Sequence, residues 1–183
     1  MSIDALKSQL PDYAKDLKLN LSSLINAPEG LTPQQLWGSL LAAAIASRNA
    51  ELTRQMQAAA AEHLDEKGLF GVRAAAATMG MNNIYYRFTH LAKNDAYGQM
   101  PAKLRMNVMM NPGVDKATFE LWSFVVSVIN GCGGCIDAHE RQLLEKGLNK
   151  EAIQFAAKLA AVVHAIAATL DYEQATAAAP SVS

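Results

Sequence analysis

Apolar residues along the chain come in alanine-rich runs typical of buried helices, not in the strict alternation of half-buried strands, and this pattern predicts an all-α protein. Thr32-Pro33-Gln34-Gln35 reads as a capping box with proline at the first helical position, opening a helix through Leu36, Trp37, Leu40, Leu41 and Ile45. Asp115 caps a second through Phe119, Trp122, Phe124, Val125 and Val128. That helix should stop at Asn130-Gly131, because both residues tolerate left-handed backbone. Further helices are expected over 3–18, 50–66, 70–88, 134–146 and 150–171, with a frayed tail over 175–183.

Sliding the chain along itself pairs Lys18, Leu19, Asn26, Leu36 and Trp37 with Lys103, Leu104, Asn111, Leu121 and Trp122, so both tryptophans match. Glu66-Lys67-Gly68-Leu69 recurs as Glu145-Lys146-Gly147-Leu148, each glycine suiting a helix C-cap. The expectation is one domain over 1–183 built from two similar helical halves, roughly 18–88 and 103–171. Ser47 and Ala50 then stand where Cys132 and Cys135 do, which leaves the chemistry in the second half.

Composition narrows the function classes. Sixteen basic against 17 acidic side chains give a net charge of −1, so nothing marks a nucleic-acid or anionic-membrane partner. The uncharged stretch from Leu121 to Ile136 is too short and too broken by Ser123, Ser127, Asn130 and glycines for a membrane helix. Charged residues from Asp4 to Asp16 interrupt any signal-peptide pattern, and the expected compartment is the cytoplasm. Two cysteines are too few for a secreted disulfide scaffold. In a reducing compartment a close pair points to catalysis or metal binding.

Cys132-Gly133-Gly134-Cys135 is followed by His139, and these spacings allow all three side chains to share one helix face. A helix starting between Gly131 and Gly134 places Cys135 in its first turn, where free amides and the macrodipole favour a thiolate. Cys135 is therefore the expected nucleophile, with Cys132 able to close a small disulfide on it. Glu120 lies about 18 Å from Cys132 along a straight helix, at roughly 1.5 Å per residue. A reversal at Asn130-Gly131 would instead set Glu120 beside His139 or Glu140. A carboxylate on one imidazole nitrogen leaves the other a better proton acceptor for a thiol.

Other readings compete. Zinc needs four ligands, and Cys132, Cys135 and His139 with Glu120 or His164 could only improvise them. No strand precedes the pair as in a thioredoxin-type site, and Ile136 stands where covalent haem attachment needs histidine. Buried structural cysteines are a further alternative, although paired glycines cost roughly 1 kcal/mol each in a helix. His164, among Val162, Val163 and Ile166, reads as a core histidine, and His63 and His90 as surface or capping residues. Met106, Met109 and Met110 could line a substrate or partner groove, although methionines at such spacing more often fill an irregular core. Tyr85, Tyr86 and Arg87 read as a helix face against the other half or another subunit.

The chain resembles the AhpD family, related to the carboxymuconolactone decarboxylases. The likeness runs through Leu10-Pro11-x-Tyr13-Ala14-Lys15-Asp16, Leu36-Trp37-Gly38, Met79-Gly80-Met81-Asn82-Asn83, Asn111-Pro112-Gly113, Phe119-Glu120-Leu121-Trp122-Ser123 and Asn130-Gly131-Cys132-x-x-Cys135-x-x-x-His139-Glu140. It implies an all-helical homotrimer that reduces alkyl hydroperoxides weakly and mainly reduces its peroxiredoxin partner AhpC. Electrons would come from dihydrolipoamide on a lipoyl-bearing dehydrogenase-complex component, with no bound cofactor or metal. It further implies that Cys135 passes through sulfenic acid and pairs with AhpC, that Cys132 donates a proton and closes the disulfide, and that Glu120 and His139 form the relay. One departure stands out: family members carry histidine just before the second cysteine, where this chain has Gly134. The alternatives are a carboxymuconolactone decarboxylase-like enzyme and a zinc- or redox-sensing helical module.

Overall fold

The computed structural model describes residues 3–177, and helices are the only regular elements among them. In chain order they are α1 (Ile3–Ser8), α2 (Lys15–Asn26), α3 (Pro33–Ser47), α4 (Ala50–Ala60), α5 (Glu66–Leu91), α6 (Ala96–Gln99), α7 (Lys116–Asn130), α8 (Gly133–Glu145) and α9 (Lys150–Ala177). Short 3-10 turns occupy Asp12–Ala14 and Asn107–Met110.

Local chemistry sets the boundaries. Thr32 Oγ1 accepts from the Gln35 amide at 3.2 Å while the Thr32 amide donates to Gln35 Oε1 at 3.1 Å, completing the reciprocal cap on α3. Asn49, Asp65 and Asp115 cap α4, α5 and α7 through bonds from the amides of Leu52, Gly68 and Thr118. Three expectations change here, the first being that the helix expected over 50–66 ends at Ala60 and α5 opens at Glu66 on the Asp65 cap. The single helix over 3–18 is broken at Pro11, which lacks the amide a continuing helix needs, and α2 runs on to Asn26. Gly68 is not a C-cap but lies in the first turn of α5, whose amide takes the Asp65 cap; Gly147, with φ of 89°, does end its helix. At the tail, Ala175 to Ala177 belong to α9, and 178–183 fall outside the described residues.

The interior is built on α3 and α7, which pack on each other and share α5 and α9 as neighbours. Trp122 of α7 is the largest side chain fully sealed from solvent. Its indole Nε1 donates to the Gln35 carbonyl of α3 at 3.3 Å. A Cβ at Gly38 would overlap this indole, and one at Gly71 of α5 would sit 3.0 Å from Cζ3, so two glycines open the slot that lets α3, α5 and α7 meet. Trp37, which the sequence repeat pairs with Trp122, instead stacks on exposed His63 with ring centroids 4.3 Å apart. By element order the left-handed turn residue Arg48 after α3 corresponds to Gly131 after α7, two positions out of the register that pairs the tryptophans.

Helix α9 is long and apolar enough to cross a membrane by length and composition, but half of its most apolar window is buried inside the protein. Ile153, Phe155, Leu159, Val163 and Ile166 belong to the common core. That is the composition of a central helix in a layered all-α domain. His164 faces the other way: it is exposed, with Nδ1 3.3 Å from Ser47 Oγ, which corrects its reading as a core residue.

Replacing Gly38 with alanine should destabilise the fold by about 1–3 kcal/mol, since the indole must move. Gly80→Ala, where a Cβ meets nothing within 4 Å, should be neutral or stabilising by up to roughly 1 kcal/mol. Urea unfolding followed by circular dichroism measures both, and equal midpoints for the two variants would contradict the packing of the slot.

Candidate active site

The site is made by a chain reversal. Helix α7 ends on Gly131 at φ 66°, ψ 36°, and α8 begins at Gly133 with Cys132 in extended backbone between them. Only a residue without a Cβ takes that conformation freely. The reversal is also held from outside. Asn83 of α5, fully buried, donates to Ser127 Oγ at 2.8 Å and accepts from Asn130 Nδ2 at 3.0 Å. Arg87 Nη1 donates to the Asn130 carbonyl at 2.6 Å, an otherwise unpaired acceptor of the last turn. The Cys132 amide then donates to the Ser127 carbonyl at 3.2 Å, fixing the entry to the cysteines.

With α7 and α8 folded back on each other, Glu120 Oε2 lies 2.6 Å from His139 Nδ1. An ionised carboxylate can only accept, so this contact places a proton on Nδ1 and turns Nε2 toward the cavity side. There Nε2 lies 3.3 Å from Met79 Sδ. His139 is buried, and water competes little for the pair.

Cys132 and Cys135 are joined as a disulfide with Cα atoms 5.3 Å apart. Their surroundings differ: Cys132 is 0% exposed, whereas Cys135 is 8% exposed and opens on a cavity of about 220 Å³. Cys135 occupies the first turn of α8, where free amides favour a thiolate once the bond is reduced. Apart from Cys135, Gly134, Ala138 and His139 of α8, the walls come from α5 (Met79, Asn82, Tyr86, His90) and from Met109.

The four sequence candidates Glu120, Cys132, Cys135 and His139 thus converge, while His164 and His63 stand apart from them. Glu140 is half-buried and makes no bond to Glu120 or the cysteines. No group of three histidine, cysteine or acidic side chains converges in a metal-holding arrangement among the described residues. The sequence missed the α5 wall. The sequence offers Tyr86 only as packing surface, and His90, exposed as expected, also lines the cavity, a contact that no local spacing with α8 announces. Of the methionines, Met110 is 83% exposed, Met109 packs against the core and also lines the cavity as a groove residue, and half-buried Met106 accepts from Asn82 at 2.9 Å. The buried Oδ1 of Asn82 has no hydrogen-bond partner, and that signal exists only in three dimensions.

Residues 95–178 match the carboxymuconolactone decarboxylase family. Over nearly the full length the chain is similar to proteins named alkyl hydroperoxide reductase AhpD. One from Rhodospirillum centenum is 55% identical over 175 residues, covering 96% of this chain and 94% of the relative. One from Gluconacetobacter diazotrophicus is 58% identical over 171 residues, 93% of each. One from Streptomyces coelicolor is 53% identical over 178 residues, 97% of this chain and 99% of the relative.

Glu120→Gln should leave the far-ultraviolet circular dichroism unchanged but slow peroxide-driven loss of the two thiols in the reduced protein by about 10²-fold or more, the usual scale of a lost proton-transfer partner. Stopped-flow thiol titration measures this, and an unchanged rate would contradict a working role for the pair.

Proposed function

Because the chain belongs to the alkyl hydroperoxide reductase AhpD family, we propose that it reduces alkyl hydroperoxides through a thiol, sulfenic acid and disulfide cycle of Cys135 and Cys132. The observation that carries this reading is the asymmetry of the disulfide. The cavity-facing sulfur meets substrate, and the sealed one waits to resolve it. His139, oriented by Glu120, takes the Cys135 proton directly or through water. The thiolate attacks the outer peroxide oxygen, forming an S–O bond as the O–O bond breaks, and an alkoxide leaves that takes up a proton to become the alcohol. The Cys132 thiol then condenses with the sulfenic acid, releasing water and closing the disulfide.

A dithiol donor must reopen that bond by exchange, its own two thiols ending as a disulfide. We assign this role to dihydrolipoamide, carried by a lipoyl-bearing dehydrogenase-complex component, and assign the peroxiredoxin AhpC as a protein that the reduced pair reduces in turn. The compartment proposed is the cytoplasm, whose reducing poise suits a cycling dithiol. Self-association as a homotrimer is supported by an exposed apolar stripe on α5. Met81, Ile84, Phe88 and Leu91 are spaced three, four and three apart on one helix face, and Leu91 is 75% exposed. The family match over 95–178 favours a decarboxylase of the carboxymuconolactone kind as the second reading. A redox-competent cysteine pair has no task in that chemistry, which is why it ranks second.

The wild-type protein should consume cumene hydroperoxide in the presence of dihydrolipoamide, and Cys135→Ser should abolish that turnover. A fully active Cys135→Ser variant would reject the site. A wild type inert with peroxide would favour the decarboxylase reading instead.

A further inference from the structure

The cavity beside the cysteines holds a second imidazole that the cycle above leaves unused. His90 stands in the last turn of α5, solvent-exposed, and its ring closes over the backbone of Gly134, the residue next to Cys135. A Cβ on Gly134 would overlap this ring, lying 2.7 Å from Nδ1 and 3.0 Å from Nε2. Glycine at 134 therefore leaves room for an imidazole reaching across from another helix. Among the described residues His90 has no hydrogen-bond, ion-pair or ring partner, whereas His139 has Glu120 on one nitrogen and Met79 Sδ beside the other.

The reaction has a matching need, given the peroxidase reading on which this inference rests. When the Cys135 thiolate takes the outer oxygen of ROOH, the O–O electron pair departs on RO⁻, an alkoxide that must gain a proton as it forms. His139, with Nδ1 bonded to Glu120 and Nε2 3.3 Å from Met79 Sδ, is assigned in that cycle to the thiol proton. We infer that His90, as an imidazolium, donates that proton. The step then balances as thiolate, ROOH and protonated His90 giving sulfenic acid, ROH and neutral His90, and solvent reprotonates the exposed ring.

Leaving-group dependence tests this, because a donor matters only when the departing oxygen is basic. Single-turnover sulfenic acid formation by the reduced protein would be measured with tert-butyl hydroperoxide, cumene hydroperoxide and peracetic acid, whose departing acetate needs no proton. His90→Gln should lose on the order of 10²-fold with tert-butyl hydroperoxide and little with peracetic acid. Its rate of alkylation by iodoacetamide, which reports the thiolate alone, should not change. Gly134→Ala favours the helix, so the protein should stay folded, yet its Cβ must displace the ring and reproduce the same selective loss. The double variant should lose nothing more. Equal losses with both peroxide types, no loss, or the selective pattern in Tyr86→Phe instead of His90→Gln would each overturn the assignment to His90. A wild type that reacts with none of the three peroxides overturns the peroxidase reading itself, and this inference with it.

Discussion

A carboxylate and an imidazole bonded in a mostly dry site hold together only if their surroundings keep both in place, because removing either partner strands a buried polar group. In this protein the Glu120–His139 bond is made by two neighbouring helices that would carry the residues far apart if they ran on as one. The left-handed turn at Gly131 folds α8 back along α7, and the buried amide of Asn83 with the guanidinium of Arg87 pins that turn from α5. Trp122, two residues after Glu120, anchors the same helix in the glycine slot between α3 and α5. The packing that makes the core is thus also the packing that aims the carboxylate.

The same economy governs the sulfurs. Cys132 sits between the helices with its side chain sealed, and Cys135 emerges one helical turn later at the cavity wall. The two thiols differ in access, since only Cys135 opens on the cavity. In the proposed cycle Cys132, already bonded to Cys135 here, is close enough to intercept a sulfenic acid before further oxidation. Met79 and Met109 line that cavity beside the polar side chains of Asn82, Tyr86 and His90.

What could be read from the chain follows the reach of each signal. The Thr32 cap, the Asp115 cap and the stop at Asn130-Gly131 are local, and each is where the residues indicate. The stop was enough to bring Glu120 to His139, because an antiparallel pair of helices has one simple register. Gly68 misled because glycine serves equally in the first turn, where Asp65 needs a free amide, and at a helix end. His164 misled because its neighbours Val163 and Ile166 are core while its own face of α9 is turned to solvent. A groove role for Met109 and a surface place for His90 could be read, but not that both reach this cavity through the packing of α5 and the Asn107–Met110 turn against α8. No periodicity in the sequence encodes that contact.

The most direct measurement is the tautomer of His139 in the reduced protein, read from histidine nitrogen chemical shifts by NMR. With Glu120 accepting from Nδ1, the neutral ring should carry its proton on Nδ1 and leave Nε2 bare to receive a proton. A neutral His139 protonated on Nε2, with Nδ1 bare, would mean that the carboxylate does not orient the imidazole, and the account of how Cys135 is activated would fail.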